Sequence, residues 1–306
     1  MAGLPLLPRR PAWMKGATAL TTRWLESTLE VARWENMRRA GRRWGWWGAG
    51  VGAMLGLIAY APAPWLAQAV VAASSGRLLL ADAKGTIWRG DAVAVLTGGP
   101  GSRDARALPG RLNWSMRLGW QGVALTLQQD CCIQAPLVLQ VRPAWSGASV
   151  IVATQPLAGQ PLQTAGEIGH WPAAWLGGLG TPWNTLQLSG VLRVSTRNLS
   201  FAWTQGRLRV QGQAEVALDN VSSRITTLDR LGSYRLDVLG DAEGQLQLNL
   251  GTLDGALRLT GSGGITPSGV RFRGEARASE ATQGALDNLL NIIGRREGDR
   301  SVISIG

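Results

Sequence analysis

Histidine is nearly missing from this 306-residue chain: His170 is the only one, and the two cysteines, Cys131 and Cys132, stand side by side. Zinc sites, histidine-based triads and Cys/His clusters cannot be assembled from that inventory, which removes most catalytic readings. Charge is scarce as well. Charged residues make up 17% of the chain, against roughly 25% in ordinary soluble domains. Lys15 and Lys84 are the only lysines, and phenylalanine and tyrosine number two each. Aromatic stacking platforms would have to be built from the 15 tryptophans, and indole equally suits membrane interfaces and sheet faces.

What is abundant points away from a helical enzyme. Hydrophobic residues reach 45%, enough to bury a core and to exclude a disordered chain. The 41 glycines are about twice the usual share. A net charge of +11 would ordinarily direct attention to nucleic acid. Yet nine basic and only three acidic residues precede Trp44, so more than half of the excess lies at one end.

No charged residue occurs from Trp44 to Gly76, and Trp44 to Ala61 is wholly apolar or glycine. At ~1.5 Å per residue that run makes about 27 Å of helix, close to a hydrocarbon core of ~30 Å. Trp44, Trp46 and Trp47 at one end, with Tyr60 and Trp65 at the other, form the expected interfacial belts. We expect a single transmembrane helix over residues 44–66. Arg38, Arg39, Arg42 and Arg43 abut it on one side and Arg77 is the first charge on the other. Residues 1–43 are therefore expected in the cytoplasm and 67–306 in the periplasm of a bacterial cell, the protein resting in the inner membrane. A cleaved leader competes through Ala59-Tyr60-Ala61, but the region before it is too long and Pro62 would follow the cut. Gly48, Gly52 and Gly56 share one helix face, either an assembly surface for another helix or the ordinary glycine content of membrane helices. In the tail, Thr22–Arg43 reads as a helix set against anionic lipid or simply solvated.

Beyond the span the period changes to two. Leu112, Trp114, Met116 and Leu118 alternate with Arg111, Asn113, Ser115 and Arg117, which marks a strand with one wet face. The pattern recurs at Val123–Leu127, Leu137–Val141, Leu186–Val194, Leu208–Val210, Ala214–Leu218, Leu236–Val238, Leu246–Leu250, Leu257–Leu259 and Val270–Phe272. Glycine and Asn/Asp between the runs imply hairpins rather than βαβ crossovers. Helices are expected at Pro64–Ala73, as a short turn at Pro172–Leu176, and over Thr282–Gly294. The last would be capped by Thr282 with Leu286, Leu289, Leu290 and Ile293 on one face. Ser301–Ile305 reads as a closing strand. The fold class is mainly β: a membrane helix, then a long curved antiparallel sheet, open as a groove or folded over, with a short C-terminal helix.

Few residues invite a chemical reading. Gly85-Thr86-Ile87-Trp88-Arg89-Gly90 lacks the strand-to-helix context of a phosphate loop and reads as a hairpin. Adjacent side chains of a strand point apart, so Cys131 and Cys132 admit a vicinal disulfide on a distorted backbone, a bond between two chains, or free thiols. Redox catalysis lacks a CxxC spacing. His170 suits a loop or packing role. Asp237/Asp241 and Glu275/Glu280 read as solvated carboxylates rather than acid–base pairs. Arg193, Arg197, Arg207, Arg209, Arg271, Arg273 and Arg277 would line the polar face, serving solubility, acidic partners or lipid headgroups. No catalytic, metal or cofactor residues are expected, and nucleic acid is not an expected partner.

Several segments together resemble one family. They are Ala61-Pro62-Ala63-Pro64-Trp65-Leu66, Ala83–Gly90, Leu108–Trp114, Leu188-Ser189-Gly190-Val191-Leu192, and Leu289–Arg296 with Ser301–Gly306. In order and spacing they resemble protein N of the type II secretion system. The resemblance implies a non-enzymatic inner-membrane protein with one anchor and a β-rich periplasmic domain, contributing to protein export across the outer membrane alongside other secretion components. The family is also distantly similar to AsmA-like proteins, whose curved sheets hold lipid, which implies an alternative as a lipid-binding or lipid-transfer protein. The long tail, Met1 to about Arg43, departs from a minimal pattern with the span near the start.

Overall fold

A computed structural model describes residues 44–306 apart from 121, 156–158, 242–243 and 267–268. The tail and its Thr22–Arg43 helix lie outside the described residues. The chain divides into two units, one ending at Tyr60 and one spanning Ala61–Gly306. In the first, a helix (α1) covers residues 44–59. Among the described residues no helix is long and apolar enough to cross a membrane.

The helix expected over 44–66 is divided. Backbone of Tyr60 turns, Pro62 is extended, and a second helix, α2 (Ala63–Ala73), starts with Pro64 in its first turn. Proline disfavours helical backbone in the residue before it and supplies no amide hydrogen, so Pro62 ends one helix and Pro64 is tolerated at the start of the next.

Strands then follow with hairpin connections: β1 (Leu78–Gly85), β2 (Arg89–Thr97), β3 (Ala105–Ala107), β4 (Leu112–Gly119), β5 (Gly122–Gln128), β6 (Leu137–Ala144), β7 (Gly147–Thr154) and β8 (Ala165–Pro172). After a 3-10 turn (Ala173–Leu179) and α3 (Trp183–Leu186) come two 17-residue strands, β9 (Leu188–Thr204) and β10 (Arg207–Ser223). The chain continues through β11 (Gly232–Gly240), β12 (Leu246–Gly255), β13 (Leu257–Thr266) and β14 (Gly269–Ala278) to α4 (Gln283–Ile293), β15 (Arg295–Glu297) and β16 (Arg300–Ile305). Among the described residues, all 16 strands belong to one open antiparallel sheet in the order 1-2-4-5-6-7-9-10-11-12-13-14-16-15. β3 shares an edge of β2 with β4, and β8 shares an edge of β9 with β7.

Cross-strand pairing keeps the apolar rows on one face. Leu118 pairs with Val123, Val123 with Val141, Val141 with Val150, Val150 with Phe201, and Phe201 with Val210. Farther along, Val194, Val216, Leu236 and Leu250 line up and lead to Gly261, Gly274 and Ile303. The glycines there make room for a ring: a Cβ on Gly261 would stand 2.5 Å from the Phe272 side chain.

Two clusters of buried side chains close opposite ends of the strand order. In the first, Ala63 of α2 packs on Ala92 and Trp114, with Leu66, Leu80, Leu125 and Leu127 around them. In the second, Leu286, Leu289 and Leu290 of α4 sit on Val221, Tyr234, Leu257 and Ala276. Ser301, fully buried, donates its hydroxyl to the Leu290 carbonyl at 2.7 Å, and Tyr234 donates to the Leu257 carbonyl at 3.0 Å. Burial raises the Tyr234 pKa above the ordinary phenol value, with Asp254 adding to it.

Three expectations need correction, and β7 was not among the expected strands. Leu186 belongs to α3 and β9 runs on to Thr204, carrying Phe201 and Trp203. His170 lies in β8, paired with Arg193, instead of a loop. β7 escapes the period-two pattern because Val152, Ala153 and Thr154 are buried, so both of its faces are sheltered near that end. Thr282 stands at the start of α4 without capping it. Its hydroxyl instead meets Ser279, 2.7 Å from the Ser279 hydroxyl and 3.2 Å from the carbonyl it donates to.

Truncating each cluster tests this core. Trp114→Ala should cost about 3–5 kcal/mol and Leu290→Ala about 2–5 kcal/mol by denaturant unfolding of the full chain in detergent. Because the two sites share no packing partner, the double variant should lose the sum to within about 0.5 kcal/mol.

Candidate interaction surfaces

Three of the five segments singled out in the sequence converge on one hairpin. Thr86 turns the chain between β1 and β2: its amide donates to the Arg89 carbonyl at 2.9 Å and its hydroxyl accepts from the Arg89 amide at 3.2 Å. Gly85 has φ +89°, and a Cβ there would stand 2.5 Å from the Arg89 carbonyl oxygen. Gly90 faces the Trp114 indole, 2.6 Å from where its Cβ would be. That indole donates its Nε1 hydrogen to the Thr86 and Ile87 carbonyls, each at 3.2 Å. The Ile87 amide in turn donates to Ala61 at 2.9 Å, and Pro62 bridges to Thr86. Gly90 is thus a seat for a tryptophan, Gly85 lets the two strands close at the turn, and the incoming chain is fastened to the same turn. Beside it Arg111 reaches both Asp82 and Asp91. Its hydrogen bond is the main cause of a lowered Asp82 pKa, and Lys84 adds to it.

The glycine row of α1 presents open space: a Cβ on Gly48, Gly52 or Gly56 would meet nothing within 4 Å. Around the rest of the helix Trp44, Trp46, Trp47, Met54, Leu55 and Leu57 are all exposed.

Cys131 and Cys132 are bonded to each other in the connection between β5 and β6. Cys131 is exposed and Cys132 buried. The Cys132 amide and the Ile133 amide both donate to Gln129, and the Cys132 carbonyl accepts from the His170 amide at 2.8 Å. Gly169 of β8 allows that approach, because a Cβ there would stand 2.3 Å from the same carbonyl oxygen. The paired cysteines form a tight turn pinned to β8, a role that residue spacing alone left open.

The titratable residues are dispersed. His170 Nδ1 is 3.8 Å from Glu167, both partly exposed. Among the described residues no group of three or more His, Cys, Asp or Glu is placed to hold a metal ion. Glu275 pairs with Arg277 and Arg300. Arg193 donates to Asp219 at 2.6 Å, and that hydrogen bond is the main cause of its raised pKa. Of the expected surface arginines, Arg193 thus knits β9 to β10, while Arg277 pairs within its own strand. Sequence reading missed the counterpart of the Trp114 seat, the exposed tryptophans at hairpin tips, whose signal was a Trp beside glycine or serine at 119–122 and 144–147.

The family model for type II secretion system protein N matches residues 76–303, from the start of the sheet to its last strand. The chain belongs to the type II secretion system protein N family. Membership assigns it a role in that membrane-associated secretion system and interaction with other components of it. No curated protein and no solved structure matches the chain. The family-resembling segments at the C-terminus land on the second cluster: Leu289 and Leu290 are buried, and a Cβ on Gly294 would stand 2.4 Å from the Val302 carbonyl oxygen.

The cysteine geometry carries its own check. Full-length protein purified without reductant should take up no maleimide at Cys131 or Cys132 and, after a dithiol, two per chain. Migration on a non-reducing gel should be monomeric throughout.

Proposed function

We propose that this protein N is a bitopic inner-membrane component of the secretion system that works by binding rather than by catalysis. The carrying observation is α1, whose large apolar side chains are exposed around its circumference; a helix apolar on all sides belongs in lipid or in a protein interior. The uncharged run from Trp44 to Gly76 and the arginines that precede it support a cytoplasmic N-terminus with Ala61–Gly306 in the periplasm. The open row Gly48, Gly52 and Gly56 offers close approach to a helix of another component. In the periplasm the sheet has an outer strand at each end of its order, β1 and β15, to which partner backbone could be added. For catalysis the chain supplies a single imidazole, 3.8 Å from Glu167 and partly exposed.

Protease added to spheroplasts should digest Ala61–Gly306 and leave the tail protected; a spared sheet would overturn the topology. Leu at Gly48, Gly52 and Gly56 together should abolish crosslinks from α1 to its membrane partner while leaving the sheet folded, and unchanged crosslinks would remove the helix-contact role.

A second reading is favoured by the sheet itself. Between the two buried clusters, Leu139, Val141, Phe201, Leu236, Leu248 and Leu250 share one face and are only half-buried. Such a face accommodates acyl chains, as expected of a lipid carrier. Mass spectrometry of protein purified in a lipid-free detergent should then detect stoichiometric phospholipid, and its absence would discard this reading.

A further inference from the structure

The hairpins of this sheet put their turns at two ends, and the two ends differ in chemistry. At one, the successive turns β4–β5 (Gly119–Gly122), β6–β7 (Ala144–Gly147) and β9–β10 (Thr204–Arg207) stand side by side, because Ala144 pairs with Gly147 and Gly147 with Thr204. Trp120 and Trp145, at 108% and 109% relative exposure, form the tips of the first two. Leu118, Trp203 and Leu208 lie just behind them and are also exposed. Leu239, Val270 and Ile305 continue the exposed apolar rim on later strands at the same end. Among the described residues of the sheet, the only large apolar side chains comparably exposed at the opposite end are Val191 and Leu253.

The three tips are also basic. The stretches 117–124, 140–149 and 201–209 contain Arg117, Arg142, Arg207 and Arg209 and no acidic residue. Indole rings at the outermost points, Trp120 and Trp145, with the guanidinium groups of Arg117 and Arg142 three residues before them, match an interface of anionic phosphates over hydrocarbon. The chain also enters the unit at this end: Ala61 and Pro62 are fastened to Thr86 and Ile87. Residue 87 precedes Arg89, which pairs with Ser115 on β4, the strand that runs on to Trp120.

We propose that these three hairpin tips dock on the anionic surface of the membrane in which the chain is anchored. Trp120, Trp145 and Trp203 enter the headgroup layer and Arg117, Arg142 and Arg207 meet lipid phosphates. The proposal rests on the anchored reading above for where the bilayer lies. It gives the sheet a second hold on the membrane, with its helix-plugged end, where α4 packs, turned away.

The test uses the full chain reconstituted into nanodiscs of phosphatidylethanolamine with phosphatidylglycerol, or of phosphatidylcholine alone. W120C and W145C are labelled with an environment-sensitive maleimide fluorophore without reductant, so that Cys131 and Cys132 stay bonded. D299C, in the turn between β15 and β16 at the other end, is the control. Both tip probes should brighten about twofold or more and shift to the blue in anionic discs, as indole-belt positions do, while the control stays unchanged. R117Q, R142Q and R207Q should each weaken docking roughly fivefold. Tip probes that behave like the control in discs holding the protein would overturn the proposal and leave the tips to a protein partner. An equal response in phosphatidylcholine would overturn the pairing with anionic headgroups. Protein that fails to enter discs at all would instead refute the anchor, which separates the two readings.

Discussion

Successive side chains in a strand point to opposite faces, so sixteen strands can share one apolar face only if every connection preserves the pairing register to within an even number of residues. The rows from Leu118 to Val210 and from Val194 to Ile303 show that this holds across the length of the sheet. Where extra residues enter, they do so as bulges. Register shifts between Gln211 and Gln213 and between Asp219 and Ser222 fall beside Gly212 and Asn220, both at positive φ. Such bulges keep the faces aligned along two 17-residue strands.

A repeating sheet of this kind has no natural centre, and its fully buried packing collects where helices cover it. α2 with Trp114 closes one end of the strand order and α4 with Ser301 the other. The segments that carry the family resemblance are largely these closures: a glycine seat for an indole, a proline-started entry, a leucine helix and the strand that receives it. The family signature therefore coincides with how the sheet is terminated.

Much of this was legible from periodicity. Alternation at 112–118 and its echoes located most strands, the glycine-bounded hairpin was recognised, and Leu286, Leu289 and Leu290 marked the buried face of α4. Period two fails where both faces are sheltered, which hid β7, and it cannot show that two runs, Leu208–Val210 and Ala214–Leu218, are one strand, β10. Helix ends were blurred for a different reason. The apolar run reads straight through Pro62, although backbone geometry divides it there. The bonded cysteines depended on a turn made by Gln129 and received by Gly169, contacts between segments that no local pattern encodes. The tryptophan tips became visible only once neighbouring turns were known to stand abreast.

The meander has an arithmetic consequence. Each hairpin carries the chain out and back, so adding or deleting one changes the strand count by two and returns the chain to the same side. Width can then vary between relatives while the entry point at Pro62 and the terminal helix α4 keep their places. An odd change would carry α4 to the opposite rim and strand its leucines in water. Strand pairs, rather than single strands, are the units by which a protein of this build can grow or shrink.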